Sequence, residues 1–165
     1  MSRSIILTSQ EITFKIRRIA YQIYESNIDE KEIIIAGISE NGFLLAKKIA
    51  KVLENISPIK IVLCDVKVNK KNPLDEIKTS LQPIDYENKS VVLVDDVLNS
   101  GASLIYAVRH FLNVPLKKFK TAVLVNRNHK KYPVKADFKG ISLSTSIQEH
   151  ITVEFSKNSA IAYLN

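Results

Sequence analysis

Apolar residues recur along the chain in two rhythms, one helical and one of buried strands. Ile12, Ile16, Ile19, Ala20 and Ile23 fall at three- and four-residue intervals, the stripe that one face of a helix buries. Thr8-Ser9-Gln10-Glu11 ahead of them has capping-box spacing, in which a hydroxyl and a carboxylate satisfy orphan amides reciprocally. The pattern predicts a helix running to Ser26, with Lys15, Arg18 and Gln22 together on another face and Arg17, Tyr21 and Tyr24 flanking them. The unbroken apolar run Ile33–Ala36 reads instead as a strand buried on both faces. It leads into Gly37–Gly42, a turn holding two of the four glycines in the chain. Phe43, Leu44, Ala46, Ile49, Ala50 and Leu53 then resume helical spacing. Further strands are predicted at Ile59–Val68, Val91–Val94, Thr121–Val125 and Ile151–Phe155, with Val134–Leu143 running into a Ser/Thr stretch at Ser142–Ser146. Leu104, Ile105, Val108 and Leu112 mark a helix after Val91–Val94. Asn69–Ser90 is polar, holds Pro73 and Pro83 and lacks periodicity. It predicts a long loop of the kind that serves as a lid. Strands alternating with helices predict one α/β domain with a mostly parallel sheet.

Candidate chemistry gathers where the strand Val91–Val94 ends. Asp95 and Asp96 follow it, then the small-residue turn Asn99-Ser100-Gly101-Ala102-Ser103, then the helix. Small residues let the backbone close around an anion, whose charge meets the N–H groups at a helix start. The two carboxylates repel such an anion and suit a neighbouring group rich in hydroxyls, or a metal beside it. A sugar phosphate satisfies both halves. The plainer reading is an ordinary strand end with acids, since short motifs match by chance. Gly37–Gly42 is a second strand-to-helix turn, either a simple connector or part of the same site. In doubly wound sheets such turns gather at the carboxyl edge, where ligands bind. His129 is either a general acid or base or, in its basic loop, an anion contact.

Composition narrows the class. With 165 residues, 45% of them hydrophobic, the chain suffices for one globular domain with a proper core. A single cysteine, Cys64, excludes an internal disulfide and offers no metal cluster. No apolar run approaches the roughly 20 residues that span a bilayer, and MSRSIILTSQE lacks the apolar core of a signal peptide. The expected location is the cytoplasm, away from membranes. The net charge of +7 resides in Lys117–Lys139, which holds eight cations and one acid, while the remainder is neutral. Such concentration argues for an anionic partner, either a polyanionic substrate with this segment as a solvated rim, or nucleic acid.

The string VVLVDDVLNSGAS resembles the signature of the type I phosphoribosyltransferases: an apolar strand, two acids, two apolar residues and a Thr/Ser-Gly loop. That resemblance implies their fold, a mostly parallel sheet flanked by helices with a small hood and a flexible loop. It implies that Asp95 and Asp96 are the catalytic acids and bind the ribose hydroxyls of phosphoribosyl pyrophosphate. Val97, Leu98, Asn99, Ser100, Gly101, Ala102 and Ser103 would complete the ribose and 5′-phosphate site, with the phosphate held from Asn99 to Ser103. The pyrophosphate loop would be Ile38, Ser39, Glu40, Asn41 and Gly42, and the flexible arm would present Lys70 and Lys71. IRRIAYQIYESN, AGISENGFLLAKKIAKVLE and AVLVNRNHKKYPVKADFKGISLSTS are similar, in order, to segments of the PyrR subfamily, pyrimidine operon attenuation regulators with uracil phosphoribosyltransferase activity. The implied reaction converts uracil and phosphoribosyl pyrophosphate to UMP and pyrophosphate, with Mg2+ carried by the substrate and no direct protein ligand. Asn126, Arg127 and His129 would cover the base, within a hood at Asn126–Asp137. A site for pyr mRNA would draw on Arg17, Arg18, His129 and Lys130 on a homodimer or higher homo-oligomer.

Four positions depart from that subfamily. Ser39-Glu40-Asn41-Gly42 stands where the loop typically reads Lys-Thr-Arg-Gly. Two cations are lost and an anion gained, so weaker pyrophosphate binding is expected. Asn69-Lys70-Lys71 replaces a Tyr-Arg-Asp run, and lysine lacks arginine's planar fork. Tyr21 stands in place of a histidine of the regulators. Asn99 occupies the place where purine-specific relatives have a catalytic aspartate, which argues against purine salvage. Two functions follow: a phosphoribosyltransferase, or a catalytically weak nucleotide-sensing regulator that binds RNA.

Overall fold

The computed structural model describes residues 3–165. In order they form β1 (Ser4–Leu7), α1 (Ser9–Ser26), β2 (Glu32–Ile38), α2 (Ser39–Ile56), β3 (Lys60–Lys67), β4 (Lys78–Thr79), α3 (Pro83–Tyr86), β5 (Ser90–Leu98), α4 (Ala102–Phe111), β6 (Lys118–Arg127), β7 (Phe138–Leu143), β8 (Ile151–Phe155) and β9 (Ala160–Leu164). The main sheet has the order β4-β3-β2-β5-β6-β7. It is parallel except for the edge strand β4. β1, β9 and β8 form a separate antiparallel sheet.

The continuous apolar strands are explained by helices on both sheet faces. Alternate residues of a strand point to opposite faces. Ile33, Ile35, Val92 and Val94 pack in one core with the α1 and α2 stripes. Ile34, Ala36, Val91 and Leu93 pack in the other with Leu104, Ala107 and Phe111 of α4 and Tyr86 of α3. All five residues predicted as the α1 stripe are buried, and the capping box is formed. The Thr8 hydroxyl accepts from the Glu11 amide at 3.3 Å, and the Glu11 carboxylate accepts from the Thr8 amide at 2.7 Å.

Several predicted boundaries move. Gly37–Gly42 is not a loop: β2 runs through Ile38 and α2 begins at Ser39. Ser39 makes the reversal alone, at φ +58. The α2 start then lies so close to β2 that a Cβ on Gly37 would be 2.4 Å from Phe43 Cα. In α4, Leu112 is an exposed C-cap residue, and Ala107 and Phe111 take the buried positions beside Leu104. Asn69–Ser90 is not one loose loop either. β4 pairs with β3, and Tyr86 is fully buried edge-on to Phe111, with ring centroids 4.9 Å apart. Its aromatic burial anchors the second half of the segment and leaves only the first half as an arm. Thr121–Val125 is the middle of the longer β6, so Asn126 and Arg127 belong to a strand end. The predicted hood at Asn126–Asp137 is that strand end and a loop. The small sheet is instead built from β1, β8 and β9, of which only β8 is predicted from the apolar pattern. No helix among the described residues is long and apolar enough to cross a membrane.

Candidate active site

β2 and β5 are neighbours in the sheet, yet α2 leaves β2 toward one face and α4 leaves β5 toward the other. This is a topological switch point, the place where open α/β sheets leave a crevice for a ligand. Both helices that start there lack a side-chain cap, whereas α1, away from the crevice, has a full capping box. An uncapped start leaves first-turn amides in search of an acceptor. The Ala102 amide donates to Ser100 Oγ at 3.2 Å, but those of Ser100, Gly101, Ser103 and Leu104 have no acceptor among the described residues. They line a cavity of about 310 Å³ with Lys70, Asp95, Asp96, Val123 and Ile151. The other side of the turn is already occupied: the Ser100 carbonyl accepts from the Lys131 and Tyr132 amides at 2.8 and 3.2 Å. Gly101 is required twice over, since its φ is +87 and a Cβ would meet Val134 Cγ1 at 2.6 Å.

The two acids have separate surroundings. Asp95 is 3% exposed and Asp96 is 7% exposed. Asp96 Oδ1 accepts from the Val97 amide at 2.9 Å, and its Oδ2 accepts from Asn41 Nδ2 at 3.0 Å. The same Asn41 nitrogen donates to the Val153 carbonyl at 2.8 Å, so one amide ties the α2 start, the end of β5 and the small sheet together. Asp95 Oδ1 accepts from the Asp96 amide at 2.9 Å and has Lys70 Nζ at 3.7 Å. Burial, and then the neighbouring Asp96 carboxylate, hold the Asp95 carboxyl well above the ordinary range. Such a group gains from a cation or from hydroxyl donors.

Among the described residues, no cluster of three or more His, Cys, Asp or Glu side chains could hold a metal. Two adjacent carboxylates beside the Asn99–Ser103 turn suit a hydrated divalent cation that keeps part of its water shell and can arrive on a phosphate ligand.

The structure gathers Lys70 and Asp95 through Ser103 around one cavity. It places the other candidates differently. Gly42 lies against β5, where a Cβ would be 3.3 Å from Asp95 Oδ1. Ser39 and Glu40 line a separate groove with Phe43, Lys47, Asp65 and Lys67, and Ile38 is buried. Lys71 is exposed, with its amide on Asn69 Oδ1. Asn126 and Arg127 are buried at the end of β6. Arg127 donates to Asn99 Oδ1 at 3.0 Å, Thr145 Oγ1 at 2.6 Å and the Ser146 carbonyl at 2.7 Å. It therefore braces the Asn99–Ser103 turn from behind. Arg127→Met is expected to cost about 3 kcal/mol in urea unfolding, because it strands three acceptors. Asn126 Nδ2 donates to Ser142 Oγ at 3.2 Å, while its Oδ1 is buried without a partner. His129 Nε2 donates to the Thr145 carbonyl at 2.6 Å and does not line the cavity.

Of the RNA candidates, Arg17 and Lys130 are exposed. Arg18 is committed to the Lys139 and Gly140 carbonyls at 3.1 and 2.7 Å. The basic segment is likewise partly spent on internal partners: Lys117 pairs with Glu30, Lys118 with the Ser26 carbonyl and Lys135 with Asp137. The clamp made by Asn41 and the brace of Thr145 and Ser146 were not legible beforehand. Only the Ser/Thr richness of Ser142–Ser146 hinted at the second.

Comparison with known proteins agrees with this geometry. The family model described as a phosphoribosyl transferase domain matches residues 2–158. The Bifunctional protein PyrR of Streptococcus agalactiae serotype Ia is 32% identical over 157 residues, covering 93% of this chain and 91% of that protein. The Bifunctional protein PyrR of Clostridium kluyveri is 30% identical, covering 94% and 92%. Among solved structures, the hypoxanthine phosphoribosyltransferase of Trypanosoma cruzi superposes with a TM-score of 0.75 at 15% identity, covering 96% of this chain and 95% of that one. A hypoxanthine-guanine phosphoribosyltransferase from Bacillus anthracis gives 0.70 at 18% identity, covering 87% and 84%. At such identities the structural matches show the fold alone. Switch point, acid pair and anion turn thus coincide with a family match along nearly the whole chain, which belongs to the type I phosphoribosyltransferases and is related to their PyrR members.

Proposed function

We propose that this protein transfers the ribosyl phosphate of phosphoribosyl pyrophosphate to uracil, giving UMP and pyrophosphate. The observation that carries the reading is the pairing, in one cavity, of two buried carboxylates with a turn whose Ser100, Gly101, Ser103 and Leu104 amides have no acceptor among the described residues. The 5′-phosphate takes the amides of Ser100, Gly101, Ser103 and Leu104 and the favourable end of the α4 dipole. Asp95 and Asp96 accept hydrogen bonds from the ribose hydroxyls and fix the ring against the cavity wall. The pyrophosphate lies toward the uncapped start of α2. Mg2+ would come in on the substrate and would neutralise charge on the leaving group, with Asp95 and Asp96 the acids that would face it. A bond forms between uracil N1 and ribose C1′ as the C1′–oxygen bond to pyrophosphate breaks, and the N1 proton passes to solvent. Positive charge that builds on the ribose is met by the acid pair, so electrostatic fit to the transition state carries the catalysis.

The uracil assignment is supported by the PyrR relatives and by Asn99 in place of an aspartate. Pyrophosphate release measured with uracil, guanine, hypoxanthine and orotate tests it. Turnover is expected with uracil and is expected to fall about a hundredfold or more in Asp96→Asn. Turnover with no base, or equal activity in that variant, would overturn the enzyme reading.

The Ser39-Glu40-Asn41 sequence favours a second reading, a nucleotide-sensing regulator of pyr mRNA. Arg17 and Lys130 are its available contacts. Titration with pyr leader RNA at two salt concentrations separates the readings. A specific complex resists added salt, whereas purely phosphate-driven binding collapses.

A further inference from the structure

The arm puts a cation where the site has the greatest need of one. Asp95 is almost wholly buried, its partner acid lies beside it, and its charged neighbour of opposite sign is Lys70 at 3.7 Å. Asp96 is served differently, by the neutral amide of Asn41. The placement of Lys70 is supported by its own loop. Asn69 Nδ2 and Asn72 Nδ2 both donate to the Asp75 carboxylate, at 2.7 and 2.6 Å, while Asn69 Oδ1 accepts the Lys71 amide at 3.0 Å. This polar knot closes the arm on itself and holds Lys70 at the rim of the cavity. Lys71, the neighbouring lysine, is exposed and has no such contact with the acid pair.

We propose that Lys70 is a resident counter-ion of the acid pair, filling the cation position beside Asp95 until a divalent cation displaces it and frees the arm. The inference rests on the phosphoribosyl reading for the identity of the incoming ligand, but it concerns this chain's own residues. One ammonium and one divalent cation cannot occupy the same side of a buried carboxylate. Each therefore weakens the other, and the coupling is reciprocal. Displacement turns arrival of the cation into the event that unlatches the arm. It also offsets, in the resting protein, the repulsion between two adjacent buried acids.

The test uses Mn2+ alone as the probe, by calorimetry and by its paramagnetic resonance signal. Lys70→Met keeps the apolar stem and removes the charge. It is expected to bind Mn2+ about fivefold more tightly or better, the size set by one screened charge at this distance. Lys71→Met, which removes the same charge one residue away, is expected to match the wild type, as is the charge-keeping Lys70→Arg. Hydrogen exchange of residues 69–77 supplies the second readout. Mn2+ is expected to speed it in the wild type, and Lys70→Met is expected to show the faster exchange without metal. Equal or weaker Mn2+ binding in Lys70→Met, the same tightening in Lys71→Met, no Mn2+ binding in any variant, or arm exchange indifferent to Mn2+ would each overturn the proposal. Bare Mn2+ involves neither base nor turnover, so absence of pyrophosphate release would sink the functional reading and leave this result standing.

Discussion

Asp95→Asn is expected to lose activity and gain stability together. Pyrophosphate release should fall by roughly a hundredfold or more, since a neutral amide cannot answer positive charge developing on the ribose. Urea unfolding at neutral pH should show the variant more stable by on the order of 2 kcal/mol, because the folded wild type buries a carboxylate beside another. The pH dependence follows from the direction of the shift. Burial first, and Asp96 second, raise the Asp95 carboxyl in the folded protein. Its neutral form therefore favours folding fully below the ordinary carboxylate range. That contribution is lost as pH rises from there through the raised value. The advantage of the variant should accordingly be greatest at neutral pH and close as pH falls toward about 4. A variant less stable than the wild type at neutral pH would show that the acid's partners outweigh its burial. The expected opposition of activity and stability is that of a site strained for function.

Gly37→Ala should have the largest structural effect. The added methyl would lie 2.4 Å from Phe43 Cα, 2.6 Å from the Gly42 carbonyl and 2.7 Å from the Phe43 amide nitrogen. All three are backbone atoms in the first turn of α2, which cannot turn aside as a side chain can. A loss of about 3 kcal/mol or more in urea unfolding is expected. Ligand affinity should fall in the folded fraction as well. Moving the α2 start drags Asn41 off Asp96 and Gly42 off the end of β5. A variant with unchanged stability would mean that the helix can retreat without cost, and the tight junction would lose its explanation.

The central strand, the acids at its end and the small-residue turn after them were legible in sequence because each rests on local rules. Four apolar residues make a strand buried on two faces, and Gly101 marks a position with positive φ. The α1 helix was legible to its cap for the same reason. What escaped were relations between distant segments. The brace from Thr145 and Ser146 to Arg127 spans nearly twenty residues, and the clamp from Asn41 to Val153 more than a hundred. Neither has a periodicity to betray it. Gly37–Gly42 was misread as a loop because two glycines ordinarily signal flexibility. One of them serves close packing against α2, the other against β5, and the reversal falls to Ser39, a residue type that carries no such signal. The small sheet escaped because β1 and β9 gain their stability from pairing with each other and with β8 rather than from their own composition.

Asn41 has a consequence for how molecules come and go. A single carboxamide nitrogen fastens the small sheet's Val153 to the carboxylate of Asp96. Lifting that sheet would strip a buried acid of a donor, so the sheet resists opening. Entry past Lys70, which lines the same cavity from the arm, costs no such donor.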